Sequence, residues 1–359
     1  MTAGGLILQL DTERGWRGGQ LQLALLAAGL TAPWRCVVAC RPGEPLAADL
    51  SRRGVAIEAL TPRSALDPLA IWHLRRLVVR LRPVAVHAHT SHTHQLALLA
   101  CAGTGVPVLV TRRVDFPLKR GLVARWKYGA VRQWIAVSSA VAAVMQAGGV
   151  PATRVTVIRD GIDPARHLET VPTLRAELGL QADALLVGIT AALEDHKDHR
   201  TLLAAWQQVE AAVPRAHLVV AGDGALRAVL AEQSRALGLR RCHFLGFRSD
   251  VPALLRALDV FTLSSKLEGL GSSVMDAQWC GLPVVATAAG GIPELVRDGV
   301  TGLLVPVGDA PALAAALRRV LGDADLRRRL GAAGRAAADP AWTAARMVDE
   351  HAMLYAGLR

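Results

Sequence analysis

The sequence predicts an α/β protein built from two doubly wound parallel sheets. Short apolar runs alternate with segments of helical periodicity along the whole chain. Most of these runs are continuously apolar, as expected for parallel strands that are covered on both faces. The 359 residues contain enough strand-like runs for two sheets, so we expect two Rossmann-like domains.

The strand-like runs divide the chain into two halves. The first half contains LILQL, RCVVAC, VAIEAL, VAVHAH, VPVLVT, WIAVS and VTVI, and the second contains ALLVGIT, HLVVAG, CHFLG, VFTLSS, LPVVAT and GLLV. The Gly- and Pro-containing link at 159–172 predicts an N-terminal domain over 1–165 and a C-terminal domain over 166–340. Residues 341–359 have helical periodicity, and we expect them to form a helix that packs back toward the N-terminal domain.

Composition and charge restrict the class of protein. No apolar run reaches the roughly 18 residues of a membrane-spanning helix. The first residues lack the basic region of a secretory signal, and the five cysteines are odd in number and scattered. We therefore expect a cytoplasmic protein with reduced thiols.

The formal net charge of +11 suits an anionic partner. Much of this charge is arginine on polar helix faces, which is also typical of solvated surfaces. Aromatic residues that would stack on bases are scarce, so we expect no nucleic-acid partner. The basic and aromatic segment 119–134 favours peripheral contact with an anionic membrane, at its inner face.

Ligands of parallel α/β sheets bind beyond the carboxyl ends of the strands, so the loops after the strands are the candidate sites. The loop after VFTLSS contains Glu268 and ends at Gly271, where a helix begins. The first N–H groups of that helix can bind a phosphate, and Asp276 could reach hydroxyl groups such as a ribose diol. A helix-capping acid followed by a solvated acid would give the same pattern.

Other loops offer weaker signals. Lys197 stands just before a helix, where it could meet a diphosphate, and Gly222 lies in the AGDG turn. Glu294 follows a proline at a helix start, while Gly18 and Gly19 open a helix near the beginning of the chain. Each of these features also fits an ordinary helix start. The phosphate loop GxxxxGK[ST] does not occur.

Histidines cluster in the segment VHAHTSHTH at 86–94. The pattern approaches the HxHxDH signature of metallo-hydrolases, with Ser91 in place of the aspartate. The downstream ligands of that class have no clear counterpart in this sequence. A metal site and a set of histidines at a helix start therefore both remain open.

Taken together, the motifs resemble the retaining glycosyltransferases of family 4. They are GGQ, AGDG, FLGFRSDV, SSKLEGLGSSVMDA, CGLPVVAT and GGIPELVRDGVTGLLV, and they occur in the family's order. The resemblance implies the GT-B fold, in which two Rossmann-like domains face each other across a cleft. It further implies a nucleotide-sugar donor held mainly by the second domain and an acceptor held mainly by the first.

The resemblance also implies roles for individual residues. Glu268 would contact the donor sugar, Lys197 the phosphate, and His89 (or, as second choice, His87) the sugar or the acceptor. Asp276 replaces the family's second glutamate and is shorter by one methylene, about 1.5 Å of reach. The positions that would bind the donor are Gly18, Gly19, Lys197, Gly222, Phe247, Arg248, Glu268, Gly269, Leu270, Gly271, Asp276 and Glu294.

The implied reaction is transfer of a sugar, with retention of configuration, from a UDP- or GDP-sugar to a glycan or lipid-linked acceptor. Cell-envelope polysaccharide or lipopolysaccharide synthesis would be its setting, and neither a metal nor another cofactor is expected. Besides a nucleotide-sugar epimerase of similar architecture, which would need no acceptor, two alternatives stay open. One is a sugar-nucleotide-binding module without turnover, suggested by Asp276 and by Ala192 near the position where the family often has an arginine. The other is a metallo-hydrolase that uses the histidines of 87–94.

Overall fold

The computed structural model describes residues 4–119, 121–167, 173–338 and 341–358. The chain forms two compact units: unit 1 is Met1–Gly161 together with Ala344–Arg359, and unit 2 is Ile162–Thr343. The predicted link at 159–172 is described only as far as residue 167.

Every strand-like run of the sequence forms a strand. The strands are β1 (Leu6–Asp11), β2 (Arg35–Cys40), β3 (Ala56–Ala59), β4 (Ala85–Ala88), β5 (Val108–Arg112), β6 (Gln133–Ala136), β7 (Val155–Val157), β8 (Leu185–Thr190), β9 (Ala216–Ala221), β10 (Cys242–Gly246), β11 (Val260–Leu263), β12 (Val284–Thr287) and β13 (Gly302–Val305). All their pairings within the described residues are parallel. The predicted fold class, two Rossmann-like domains, is confirmed.

Helices connect these strands. They are α1 (Gly18–Gly29), α2 (Pro45–Arg52), α3 (Pro68–Leu81), α4 (Ser91–Cys101), α5 (Leu122–Gly129), α6 (Ser139–Ala147), α7 (Leu174–Glu177), α8 (His199–Ala212), α9 (Arg227–Ala236), α10 (Val251–Ala257), α11 (Ser272–Trp279), α12 (Ile292–Leu295), α13 (Ala310–Gly322), α14 (Ala324–Ala338) and α15 (Ala344–Ala356). No helix in the described part of the chain is both long and apolar enough to cross a bilayer.

The sheet of unit 1 has the order β3-β2-β1-β4-β5-β6-β7. The direction of winding reverses between β1 and β4, so the loops after these two strands border the crevice in which such sheets bind ligands. Helix α15 belongs to this unit. A Cβ at Gly29 of α1 would lie 2.6 Å from a methyl group of Val348, so glycine permits the close approach of α15. Tyr355 and Met347 of α15 join Leu26 in the core.

The sheet of unit 2 has the order β10-β9-β8-β11-β12-β13. Here the winding reverses between β8 and β11. The loop that follows β8 carries Lys197, and the loop that follows β11 carries Glu268. The topology therefore brings these two predicted site residues to the same edge of the sheet, next to the reversal.

Candidate active site

Lys197 and Glu268 form an ion pair in unit 2. Lys197 Nζ lies 2.5 Å from Glu268 Oε2, and the two side chains are only 17% and 11% exposed. Ser265 Oγ donates a second hydrogen bond to the same carboxylate oxygen over 3.1 Å. The sequence analysis assigned both residues to the site but did not predict that they contact each other.

Hydrogen bonds tie the loop after β8 to the loop after β11. Ser264 Oγ donates to the carbonyl oxygen of Lys197 at 3.0 Å, and Lys266 N donates to the carbonyl oxygen of His196 at 2.8 Å. The loop after β12 joins them, because Gly291 N donates to the carbonyl oxygen of Glu268 at 3.0 Å. Glu294 lies in this third loop region, within α12.

A left-handed residue sets the position of Lys197. Asp198 has φ +48° and caps α8, with Thr201 Oγ1 donating to its carboxylate at 2.7 Å. The chain thus turns sharply between the lysine and the helix. Lys197 remains in the short 3-10 turn Asp195–Lys197 at the strand end, where it meets Glu268.

The start of α11 is suited to binding an anion. Gly271 stands at its N-terminal cap with φ +98°, a conformation that favours glycine. Gly271 has no side chain with which to cap this helix, so the first N–H groups of the helix can serve a ligand. Within this loop Leu270 is buried, and Gly269 connects it to Glu268.

Gly222 has a packing role that the sequence analysis missed. A Cβ at this position would lie 1.9 Å from the carbonyl oxygen of Ala191. A Cβ at Gly224 would lie 2.6 Å from the carbonyl oxygen of Leu193. Both glycines therefore let the AGDG turn pack directly against the segment that leads to Lys197.

The histidines of segment 86–94 lie in different environments. Thr90 caps α4, so His89 falls at the turn between β4 and that helix. His87 contacts Tyr355 and Thr111 through its two ring nitrogens, whereas His92 is exposed and lies 3.7 Å from Glu13. His94 is buried, and burial lowers its pKa to about 3.

No group of three or more His, Cys, Asp or Glu side chains among the described residues is arranged to hold a metal ion. Because the ring nitrogens of His87 are already hydrogen-bonded, the HxHxDH interpretation has no geometric support at that position.

Comparison with known proteins decides the family. The family described as Glycosyltransferase Family 4 matches residues 16–166, and the family described as Glycosyl transferases group 1 matches residues 170–337. EpsD of Bacillus subtilis (strain 168), which is named as a glycosyltransferase, is 30% identical over 314 residues, covering 82% of each chain. The chain belongs to the family 4, group 1 glycosyltransferases. The resemblance inferred from the motifs is thereby confirmed, and so is the prediction of a transferase.

A further relative matches part of this glycosyltransferase, and a solved structure matches nearly all of it in fold. LpsE of Rhizobium meliloti (strain 1021), a lipopolysaccharide core biosynthesis glycosyltransferase, is 35% identical over 161 residues, or 45% of this chain and 46% of LpsE. The crystal structure of HepE of Anabaena, in complex with UDP and glucose, matches 98% of this chain and 99% of HepE. Its TM-score is 0.87 at 24% identity, a likeness that shows the fold.

In this glycosyltransferase, Asp276 has a partner that no local pattern indicated. His167 Nε2 lies 3.2 Å from Asp276 Oδ1, and His167 Nδ1 lies 3.4 Å from Cys280 Sγ. Burial raises the pKa of Cys280 to about 12, so the thiol keeps its proton and can donate to Nδ1. Nε2 can then donate to the carboxylate, which fixes the direction in which Asp276 points.

Phe247 and Arg248 differ in what they offer a ligand. Phe247 is 58% exposed. The guanidinium of Arg248 is occupied by two acids, because it pairs with Asp250 at 2.5 Å and with Glu177 at 2.9 Å. These acids raise the pKa of Arg248 and hold its side chain away from other partners.

In unit 1, α1 begins at Gly18, as the sequence predicted. A Cβ at Gly19 would lie 3.7 Å from Arg113 Cδ, so the first turn of α1 packs on this arginine. Arg113 Nη1 donates to His89 Nδ1 at 3.1 Å, and Arg113 Nε donates to Asp160 Oδ1 at 3.2 Å.

Three further residues of this crevice, Arg113, Asp160 and Asp11, were not predicted from the sequence. Asp11 ends β1 and is buried, and burial raises its pKa to about 6. Burial also raises the pKa of Asp160. A usable signal existed for Asp11, since a carboxylate that closes the apolar run LILQLD stands at a strand end.

Proposed function

We propose that this glycosyltransferase takes its sugar from a UDP- or GDP-sugar and transfers it with retention of configuration. The observation that carries the proposal is the half-buried pair of Lys197 and Glu268 beside the start of α11. A lysine and a helix N-terminus at the same edge of the sheet can together bind a diphosphate. The HepE structure with UDP and glucose supports a donor of this class.

Charge stabilisation is the chemical role of this site. When the bond between the anomeric carbon and the diphosphate oxygen breaks, its electron pair moves to the diphosphate. Lys197 and the N–H groups at the start of α11 stabilise that charge, which is the main electrostatic contribution to the rate. The acceptor hydroxyl attacks from the face of the leaving group and passes its proton to the leaving phosphate. No step requires a metal ion or a further cofactor.

Glu268 has two roles in this proposal. Its carboxylate holds Lys197 in place, and carboxylate oxygens at this position suit hydrogen bonds from donor-sugar hydroxyls. His89 orients Arg113, because its Nδ1 accepts a hydrogen bond from that guanidinium. The family resemblance implies that His89 contacts the sugar or the acceptor directly. Both of its ring nitrogens are hydrogen-bonded within unit 1, so we propose the indirect role instead.

We propose a glycan or lipid-linked acceptor of the cell envelope. The name of LpsE, a lipopolysaccharide core enzyme, supports this setting. We further propose that unit 1 touches the inner face of an anionic membrane. Two exposed apolar surfaces with arginine or lysine neighbours support this: Leu122 (83% exposed) and Trp126 (54% exposed) on α5, and Leu69 and Trp72 on α3.

Binding of UDP and GDP, measured by calorimetry, tests the donor site. Wild-type protein is expected to bind one of them, and Lys197→Ala is expected to weaken that binding at least tenfold. Lys266→Ala is the matched control, because Lys266 is more exposed and lies 3.5 Å or more from its acidic partners. Equal affinities in all three proteins would refute the donor site. NMR of the product, which reports the anomeric configuration, tests retention.

Co-sedimentation with vesicles tests the membrane contact. The wild-type protein should sediment with vesicles that contain anionic lipid. The bound fraction should fall as the salt concentration is raised, since salt screens the attraction between the protein and the lipid surface. Trp126→Ser and Trp72→Ser, made separately, identify which helix contributes. Equal binding to neutral and anionic vesicles, or none to either, would contradict the proposal.

A further inference from the structure

A chain of buried hydrogen bonds connects α15 to the crevice of unit 1. His89 Nε2 lies 2.7 Å from Gln9 Oε1, and Gln9 Nε2 donates to Tyr355 Oη at 3.1 Å. Tyr355 Oη lies 2.7 Å from His87 Nδ1, and His87 Nε2 lies 2.7 Å from Thr111 Oγ1. These side chains are all buried. Polar groups at such depth are stable only when their hydrogen bonds are satisfied.

Arg113 lies at one end of this series of hydrogen bonds and fixes which atom donates in each of them. Arg113 has only N–H donors, so His89 Nδ1 must accept from it. His89 is neutral, since burial, together with the nearby His87 and Arg113, lowers its pKa, and its single proton therefore lies on Nε2. Nε2 donates to Gln9 Oε1, which leaves the Gln9 amide nitrogen to donate to Tyr355.

The hydroxyl of Tyr355 completes the pattern. It accepts from Gln9 and donates its own proton to His87 Nδ1, so the remaining proton of His87 is on Nε2 and goes to Thr111. A reversed Gln9 amide would require both nitrogens of His89 to accept, which a neutral imidazole cannot do.

The Nη2 side of the Arg113 guanidinium is not used by this network and can donate hydrogen bonds to a ligand. Its Nε and Nη1 are bonded to Asp160 and His89, while Nη2 has no partner among the described residues and is not buried. The side chain is only 14% exposed, and the first turn of α1 packs against it through Gly19. A fixed, largely desolvated guanidinium beside a helix N-terminus is suited to an oxyanion.

We infer that Arg113 binds an oxyanion of a substrate, and that Tyr355 positions it through Gln9 and His89. This inference rests on the proposed function. The oxyanion is a phosphate group, and it comes either from the nucleotide donor or from a phosphate-bearing acceptor. Arg113 would contact the substrate directly, whereas Tyr355 acts only through the residues between them.

NMR of the arginine Nε–H groups, in the full chain, tests the contact. UDP and inorganic phosphate are titrated separately, and Arg113→Lys identifies the Arg113 signal. A shift of that signal with UDP identifies the donor as the source, and a shift with phosphate but not with UDP identifies the acceptor. If UDP binds the protein and neither probe moves the signal, the inference is overturned while the donor site in unit 2 stands. If neither UDP nor GDP binds the protein, the proposed function fails instead.

Ring-nitrogen NMR of His89 tests the positioning. Tyr355→Phe keeps the ring but removes the hydroxyl. We expect both neutral tautomers of His89 to be populated in this variant. We also expect about fivefold weaker binding of the probe, UDP or phosphate, that shifts the Arg113 signal. Trp34→Phe is the control for packing, since Trp34 contacts the Tyr355 ring edge-on at 5.8 Å and lies outside the hydrogen-bond chain. Gln9→Met interrupts the chain at its next member and should reproduce the tautomer change.

An unchanged His89 tautomer in both Tyr355→Phe and Gln9→Met would refute the positioning role. An equal loss of probe binding in Trp34→Phe would show that the effect is one of packing, and would also refute it.

Discussion

Removal of the Lys197 side chain should separate stability from catalysis in unit 2. In Lys197→Ala, the carboxylate of Glu268 loses a partner at 2.5 Å but keeps the hydrogen bond from Ser265 at 3.1 Å. A half-buried carboxylate that keeps a hydrogen-bond donor is less costly than a fully unpaired one. We therefore expect the free energy of unfolding to fall by about 1–3 kcal/mol. For a unit of this size the melting temperature should fall by roughly 2–12 °C.

The effect on the reaction should be larger. Loss of one group that stabilises the developing charge of a leaving group typically lowers kcat by about 10²–10³-fold. A second substitution distinguishes the two effects. Lys197→Ala combined with Glu268→Gln replaces the carboxylate that has lost its ion pair by a neutral amide, so most of the lost stability should return while kcat stays low.

Calorimetric melting and turnover of the nucleotide sugar, measured on the same samples, provide the comparison. Lys266→Ala serves as the control and should change neither quantity by more than a small amount, since Lys266 Nζ lies 3.5 and 3.7 Å from its acidic partners and its own side chain is 40% exposed. The reasoning is refuted if the double variant regains activity together with stability. It is also refuted if Lys197→Ala melts lower but turns over at the wild-type rate.

Three other changes test separate features. Gly222→Ala should lower the melting temperature and weaken UDP binding, because its Cβ would lie 1.9 Å from a backbone oxygen; Gly238→Ala, with nothing within 4 Å, should cost only about 1 kcal/mol for its positive φ. His167→Phe should weaken nucleotide binding, because Asp276 loses its partner, while the melting temperature changes little; a nucleotide affinity equal to that of the wild type would contradict that link. Burial raises the pKa of Asp11 from 3.8 to about 6, so the folded state holds more protons and stability should fall between about pH 4 and pH 6 as the pH rises; unfolding of Asp11→Asn by urea should show a flatter profile over that range.

Much of the fold could be predicted from the sequence, because parallel strands buried on both faces require continuous apolar runs. Each run from LILQL to GLLV corresponds to a strand. The helix starts at Gly18 and after Lys197 and Gly271 were also predictable, since glycines and polar residues at strand ends are local signals. Because ligands of parallel sheets bind beyond the carboxyl ends of the strands, these local signals also predicted that Lys197 and Glu268 lie at the same edge of the sheet.

The partners of the site residues depend on the tertiary structure alone. Asp276 and His167 are 109 positions apart, and Gln9 and Tyr355 are 346 positions apart. No periodicity or spacing relates residues at such separations, since folding alone brings them into contact.

The sequence by itself determined which strands form, where the helices begin and which loops carry charge, because these depend on neighbouring residues. Only the folded chain decided that Lys197 pairs with Glu268, that Gly222 packs against backbone, and that His89 is held by Gln9 and Arg113. Those contacts join distant segments, and a hydrogen bond has a direction and an energy only once both of its atoms are in place.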